Sequence, residues 1–132
     1  MRVFVDTSAL LPLLDAGDAD HAAVSAAWAD LRRAEAVATT TNYVLLEALA
    51  VCQRRLGMVA ARRLQQDLAP VLEVEWVTRQ AHAEGSIAML AANRREVSLV
   101  DCVSFEVMRR LGIRRAFTLD EHFREQGFEV VP

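Results

Sequence analysis

Four acidic residues stand where chemistry could be done. Asp6 directly follows the apolar run Val3-Phe4-Val5, and Asp120 closely follows Ala116-Phe117-Thr118. If these runs are parallel strands, both carboxylates reach the rim formed by the strands' carboxyl ends, where open α/β sheets bind ligands. Asp101 ends Ser98-Leu99-Val100-Asp101, and Glu47 lies within Val44-Leu45-Leu46-Glu47-Ala48-Leu49-Ala50-Val51. Each aspartate has an ordinary alternative, because Asp favours helix starts. Ser98 and Asp101 also have a capping-box-like spacing, with Asp in place of Glu or Gln. Glu47 has no such alternative. It is mid-helix among apolar neighbours, and burial would demand an arginine partner or a cation. Four carboxylates in one cleft repel one another. A hard divalent ion, Mg²⁺ or Mn²⁺, takes oxygen ligands and relieves that repulsion. Zinc is not indicated: His21, His82 and His122 are scattered, and no Cys pair supports a site. Each histidine reads as a surface or packing residue.

The elements that must position these acids follow from periodicity and punctuation. Arg2-Val3-Phe4-Val5 is a buried strand by pattern, and Asp6-Thr7-Ser8 begins a helix. Gly17 to Asp20 is a break, and His21 to Ala34 is an alanine-rich helix with Val24, Trp28 and Leu31 on one face. Ala36 to Thr39 is a second strand. Thr40-Thr41-Asn42 caps a long helix from Tyr43 to Leu56, ended by Gly57. Met58 to Leu68 forms a further helix, making a hairpin of helices and a candidate partner surface. Val71 to Val77 is a third strand. Thr78 opens a helix to Asn93 that Gly85 interrupts, and Ser98 opens another that ends at Gly112. A strand at Arg115 to Thr118, a short helical turn from Asp120 to Gln126 and a last strand at Phe128 to Val131 complete the chain. This alternation predicts a three-layer α/β/α fold with a mainly parallel sheet of about five strands.

Length and composition agree. The 132 residues suit one domain over the whole chain, 1–132. The chain is 53% hydrophobic but only 6% aromatic, so its core is Ala, Val and Leu. Net charge is −3, and all 15 basic residues are arginine. They recur as doublets, as at Arg32-Arg33 and Arg94-Arg95, which read mostly as solvated helix faces. No stretch is long enough to span a membrane, no secretion signal opens the chain, and Cys52 and Cys102 read as buried hydrophobes. A reducing cytoplasmic setting is the expectation.

With these residues in hand, the chain resembles the PIN-domain family and, within it, the VapC toxins of bacterial toxin–antitoxin pairs. The matching pieces are Val5-Asp6-Thr7-Ser8-Ala9-Leu10, Thr41-Asn42-Tyr43-Val44-Leu45-Leu46-Glu47, Ser98-Leu99-Val100-Asp101 and Ala116-Phe117-Thr118-Leu119-Asp120-Glu121-His122-Phe123. Their order and spacing span nearly the whole chain. The resemblance implies a Mg²⁺- or Mn²⁺-dependent endoribonuclease with Asp6, Glu47, Asp101 and Asp120 at the metal. It makes Thr7, Ser8 and Thr118 supporting hydroxyls and extends no role to Glu121 or His122. It also implies an RNA substrate, a neutralising antitoxin and a homodimer.

The competing readings are separable. A response-regulator receiver or a haloacid-dehalogenase-type phosphatase needs a lysine that this chain lacks. No Gly-rich phosphate loop is present. A non-toxin PIN nuclease acting on other RNA or on DNA, and a catalytically silent PIN-like binding module, stay open.

Overall fold

A computed structural model describes residues 1–132, in which five strands form one sheet in the order β3-β2-β1-β4-β5 with every neighbouring pair parallel. Strand β1 (Arg2–Val5) is central, and Val3, Phe4 and Val5 are wholly buried. A strand covered on both faces has no solvent side, which is why its sequence shows no polar alternation. From β1 the chain moves outward through β2 (Val37–Thr41) to β3 (Glu73–Glu75). It then returns to the other flank of β1 for β4 (Arg115–Phe117) and β5 (Glu129–Val131). The strand order therefore reverses between β1 and β4, and an open α/β sheet leaves its crevice at that reversal.

Seven α-helices complete the layers: α1 (Thr7–Leu14), α2 (His21–Arg33), α3 (Asn42–Arg55), α4 (Met58–Arg63), α5 (Arg79–Ala92), α6 (Leu99–Leu111) and α7 (Glu121–Glu125). Their starts carry the capping chemistry expected of them. The Thr41 hydroxyl accepts from the Val44 N–H, and the Thr78 hydroxyl accepts from the Ala81 N–H. Phe123 pins the short α7. It is fully buried, with ring centroids 4.9 Å from Phe105 and 6.3 Å from Phe4.

Three elements differ from their sequence expectation. The helix after Gly57 leaves α-geometry at Arg63, widens into a π-helical turn at Leu64–Leu68 and closes with a 3-10 turn at Ala69–Val71. Pro70 has no N–H for a continuing helix and sits in that closing turn. The third strand shrinks accordingly to Glu73–Glu75. Gly85 does not interrupt its helix, since α5 runs unbroken from Arg79 to Ala92. A Cβ at Gly85 would lie 2.5 Å from Val103 Cγ2 and 3.2 Å from the Val103 backbone nitrogen. The glycine lets α5 and α6 approach closely. No helix is long and apolar enough to cross a membrane, and both cysteines are free and buried.

Candidate metal centre

Asp6 leaves β1 in extended geometry and caps α1. Its Oδ2 accepts from the Ser8 N–H at 3.3 Å, the Ser8 hydroxyl at 2.7 Å and the Thr118 hydroxyl at 3.0 Å. Its backbone N–H donates to the Phe117 carbonyl at 3.0 Å, which ties it to β4. Ser8 Oγ in turn accepts from the Leu119 N–H at 2.9 Å, and Thr118 Oγ1 accepts from the Asp120 N–H at 3.0 Å. The two turns that leave β1 and β4 are thus stitched together across the strand-order reversal.

Asp101 and Asp120 also cap helices. Asp101 Oδ2 accepts from the Ser98 N–H at 3.0 Å while Ser98 Oγ accepts from the Asp101 N–H at 3.1 Å, a complete capping box. Asp120 Oδ1 accepts from the His122 N–H at 2.9 Å and caps α7. Capping and metal binding are therefore not alternatives here. A carboxylate has two oxygens. Each of the three aspartates commits one to a helix start, and no hydrogen bond reaches the other.

The three acids feel one another. Burial, together with the charges of Asp6 and Asp120, pushes the Asp101 carboxyl up to about 6 against the lowering effect of the Ser98 N–H. Burial likewise raises Asp6 above the ordinary carboxylate range; the bonds from Ser8 and Thr118 oppose the rise, and Asp120 adds to it. No arginine relieves this. Of the molecule's ion pairs none includes Asp6, Glu47 or Asp101, and the contact made by Asp120 is with His122. Ligand atoms of Asp101, Asp120 and His122 lie within 4.8 Å of one another. The crowded carboxylate oxygens of this set fit a hard divalent cation.

Asp6 is not in that tight group, and neither is Glu47. Glu47 is half-buried on α3, between the buried stripe of Val44, Ala48 and Cys52 and the exposed Leu46, and no arginine pairs with it. Linear neighbours overstated its burial, because Leu46 is 69% exposed. Thr7 is buried, with its hydroxyl 3.5 Å from the Val44 carbonyl in the first turn of α3. The sequence passed over His122, whose only signal was its place two residues beyond Asp120 at a helix start. His21 and His82 lie elsewhere, bonded to the Pro12 carbonyl and to the Tyr43 hydroxyl.

The arginine doublets Arg32-Arg33, Arg54-Arg55, Arg62-Arg63 and Arg109-Arg110 occupy the last turns of α2, α3, α4 and α6, where they complement the helix dipole. Two other arginines differ. Arg79 opens α5 just after β3, and Arg95 precedes the capping box of α6. Both are exposed, and neither enters an ion pair.

The reversal-point crevice, its three capped aspartates and the all-parallel sheet define a PIN-type nuclease fold, and the chain belongs to that family: the PIN domain model matches residues 3–129. The chain is 38% identical over 134 residues to the 23S rRNA-specific endonuclease VapC20 of Mycobacterium tuberculosis, in strains CDC 1551 / Oshkosh and ATCC 25618 / H37Rv, covering 98% of either chain. A crystal structure of M. tuberculosis VapC20, described as a sarcin-ricin loop cleaving toxin, matches with a TM-score of 0.88 and 37% identity over 98% of this chain and 99% of that one. The family expected from the motifs and the three-layer parallel fold are both borne out.

Proposed function

We propose that this chain is a divalent-cation-dependent endoribonuclease, the toxin of a toxin–antitoxin pair, and that 23S ribosomal RNA is its substrate. The observation that carries the chemistry is the set of three aspartates, each with one oxygen held by a helix start and one left open, with no arginine in reach. The full-length likeness to VapC20 supports the choice of RNA.

Asp6 and Asp101 hold the cation directly, and Glu47 and Asp120 complete the acidic pocket directly or through water. When bound, a Mg²⁺ or Mn²⁺ ion lowers the pKa of a coordinated water and offsets charge on the scissile phosphate. Ser8 and Thr118 fix the rotamer of Asp6, so its open oxygen keeps one direction. Thr7 supports the contact with α3. Arg79 and Arg95 hold the phosphate backbone at the rim. No side-chain nucleophile is needed.

A protein antitoxin neutralises the chain, and the active assembly is a homodimer. Exposed apolar side chains support two protein contacts: Leu46 and Trp76 beside α3, and Ile87 and Leu90 along α5. The protein works in the cytoplasm, where ribosomes reside.

The deciding experiment incubates purified protein with ribosomes, naked 23S RNA and single-stranded DNA, with Mg²⁺, Mn²⁺ or EDTA. Cleavage within the sarcin-ricin loop, lost in EDTA and in Asp6→Asn and Asp101→Asn, is expected. Full activity in both variants would end the assignment. DNA cleavage would favour the non-toxin nuclease, and RNA binding without cleavage the silent module.

A further inference from the structure

His122 is the one histidine whose ring makes no hydrogen bond. Its Nδ1 is buried and lacks an aligned partner. It nevertheless lies 2.9 Å from Asp120 Oδ1, an oxygen that already accepts the His122 backbone N–H. His21 and His82 each place Nδ1 within hydrogen-bond distance of an oxygen, at 2.7 and 2.6 Å. A buried ring nitrogen without a partner costs free energy that a ligated cation would recover.

The spacing suits that explanation. In an octahedral site with bonds of about 2.1 Å, neighbouring ligand atoms are about 3.0 Å apart and opposite ones about 4.2 Å. The 2.9 Å contact to the capping oxygen of Asp120 places the ring beside that carboxylate, and one ligand atom each of Asp101, Asp120 and His122 lie within 4.8 Å of one another, close to such a span. The ring has little freedom to leave, since its side chain is only 17% exposed and the next residue, Phe123, is locked in the core.

We propose that His122 is a nitrogen ligand of the cation, so that the centre is a mixed nitrogen–oxygen site selective for Mn²⁺ over Mg²⁺. This rests on the acids forming a metal centre, as argued above. Mg²⁺ prefers an all-oxygen shell, whereas imidazole favours transition ions. An additional nitrogen ligand therefore strengthens Mn²⁺ binding more than Mg²⁺ binding.

The test is pulsed electron paramagnetic resonance on the full chain loaded with Mn²⁺. A ¹⁴N modulation is expected in the native protein and in a His21→Ala, His82→Ala double variant, where His122 is the sole histidine. It should vanish in His122→Ala and change to the ¹⁵N pattern on ¹⁵N-histidine labelling, which needs no variant to fold. Calorimetry should show Mn²⁺ affinity falling about tenfold or more in His122→Ala, with Mg²⁺ affinity changing much less. Bound Mn²⁺ without nitrogen modulation, or modulation that survives His122→Ala, overturns the proposal and leaves the acidic centre standing. Failure of the native chain to bind Mn²⁺ overturns both.

Discussion

The Thr118 hydroxyl lies 3.0 Å from Asp6 Oδ2, joining residues 112 positions apart in the chain. The same hydroxyl accepts the Asp120 N–H, so one buried oxygen sets the positions of two of the three aspartates. Removing it while keeping the side chain's shape should loosen both carboxylates. Thr118→Val is expected to lower metal affinity and cleavage by about 10- to 100-fold, the usual cost of losing a group that orients a ligand. Thr118→Ser should recover most of the loss. Calorimetric metal titration together with single-turnover cleavage measures this, and a fully active Thr118→Val would show the hydroxyl to be an ordinary packing group.

The metal-free protein should show a particular dependence on pH. Asp101 titrates at about 6 in the fold against an ordinary 3.8, and Asp6 is raised as well. The folded state therefore keeps protons that the unfolded chain releases. The stability these groups contribute is fully present below the unfolded value and is lost as pH rises through about 6. Surface ion pairs have their own dependence, so the measurement should be a difference. Without metal, Asp101→Asn should melt above the native protein at pH 7 and close to it at pH 4. Added Mn²⁺ should raise the native melting temperature at pH 7 and leave the variant nearly unmoved. Equal melting of the two proteins at pH 7 without metal would contradict the strained, uncompensated acids described here.

Much of this candidate centre was legible in the sequence, and the parts that were not share a cause. Asp6 and Asp120 were readable because strand ends are marked by a switch from apolar residues to capping residues. The choice between cap and ligand cannot be made along the chain; in three dimensions each carboxylate caps a helix with one oxygen and keeps the other free of hydrogen bonds. The burial of Glu47 was overstated because neighbours in sequence are not neighbours in space: Leu46 is exposed and Val44 is buried. Gly85 looked like a helix breaker because only the contact with Val103 shows what its missing side chain is for. His122 stands two residues after Asp120, but Asp101 joins the pair only by folding.

Gly85 gives a prediction about the scaffold. In an exposed helix, alanine would be the better residue by roughly 0.5–1 kcal/mol. Here its Cβ would meet Val103 Cγ2 at 2.5 Å and the Val103 backbone at 3.2–3.3 Å, and a backbone cannot move aside as a flexible side chain can. Gly85→Ala should therefore destabilise by about 1–3 kcal/mol, as overpacking does. Because α6 carries Asp101, metal affinity should fall too. Chemical denaturation checks the first effect; a stabilised Gly85→Ala would mean that α5 and α6 slide apart freely.

Arg79 and Arg95 should act on RNA binding and not on the chemical step. Arg79 follows the carboxyl end of β3 and Arg95 precedes the capping box that holds Asp101; both are exposed and neither is held by a carboxylate. The doublets in the last turns of α2, α3 and α6 are poorer candidates, since these helices start at the rim of the strands' carboxyl ends or lead toward the opposite edge of the sheet. A phosphate contact releases counterions, so losing one weakens binding and flattens the salt dependence, with the log–log slope falling by about one per arginine removed. Arg79→Ala and Arg95→Ala should each raise the dissociation constant for substrate RNA at low salt. The double variant should lose about two units of slope, and single-turnover cleavage at saturating RNA should stay near native. Arg54→Ala, in the last turn of α3, should leave both quantities unchanged. An unchanged slope in the double variant, or a loss as large in Arg54→Ala, would place the RNA on another face of the protein.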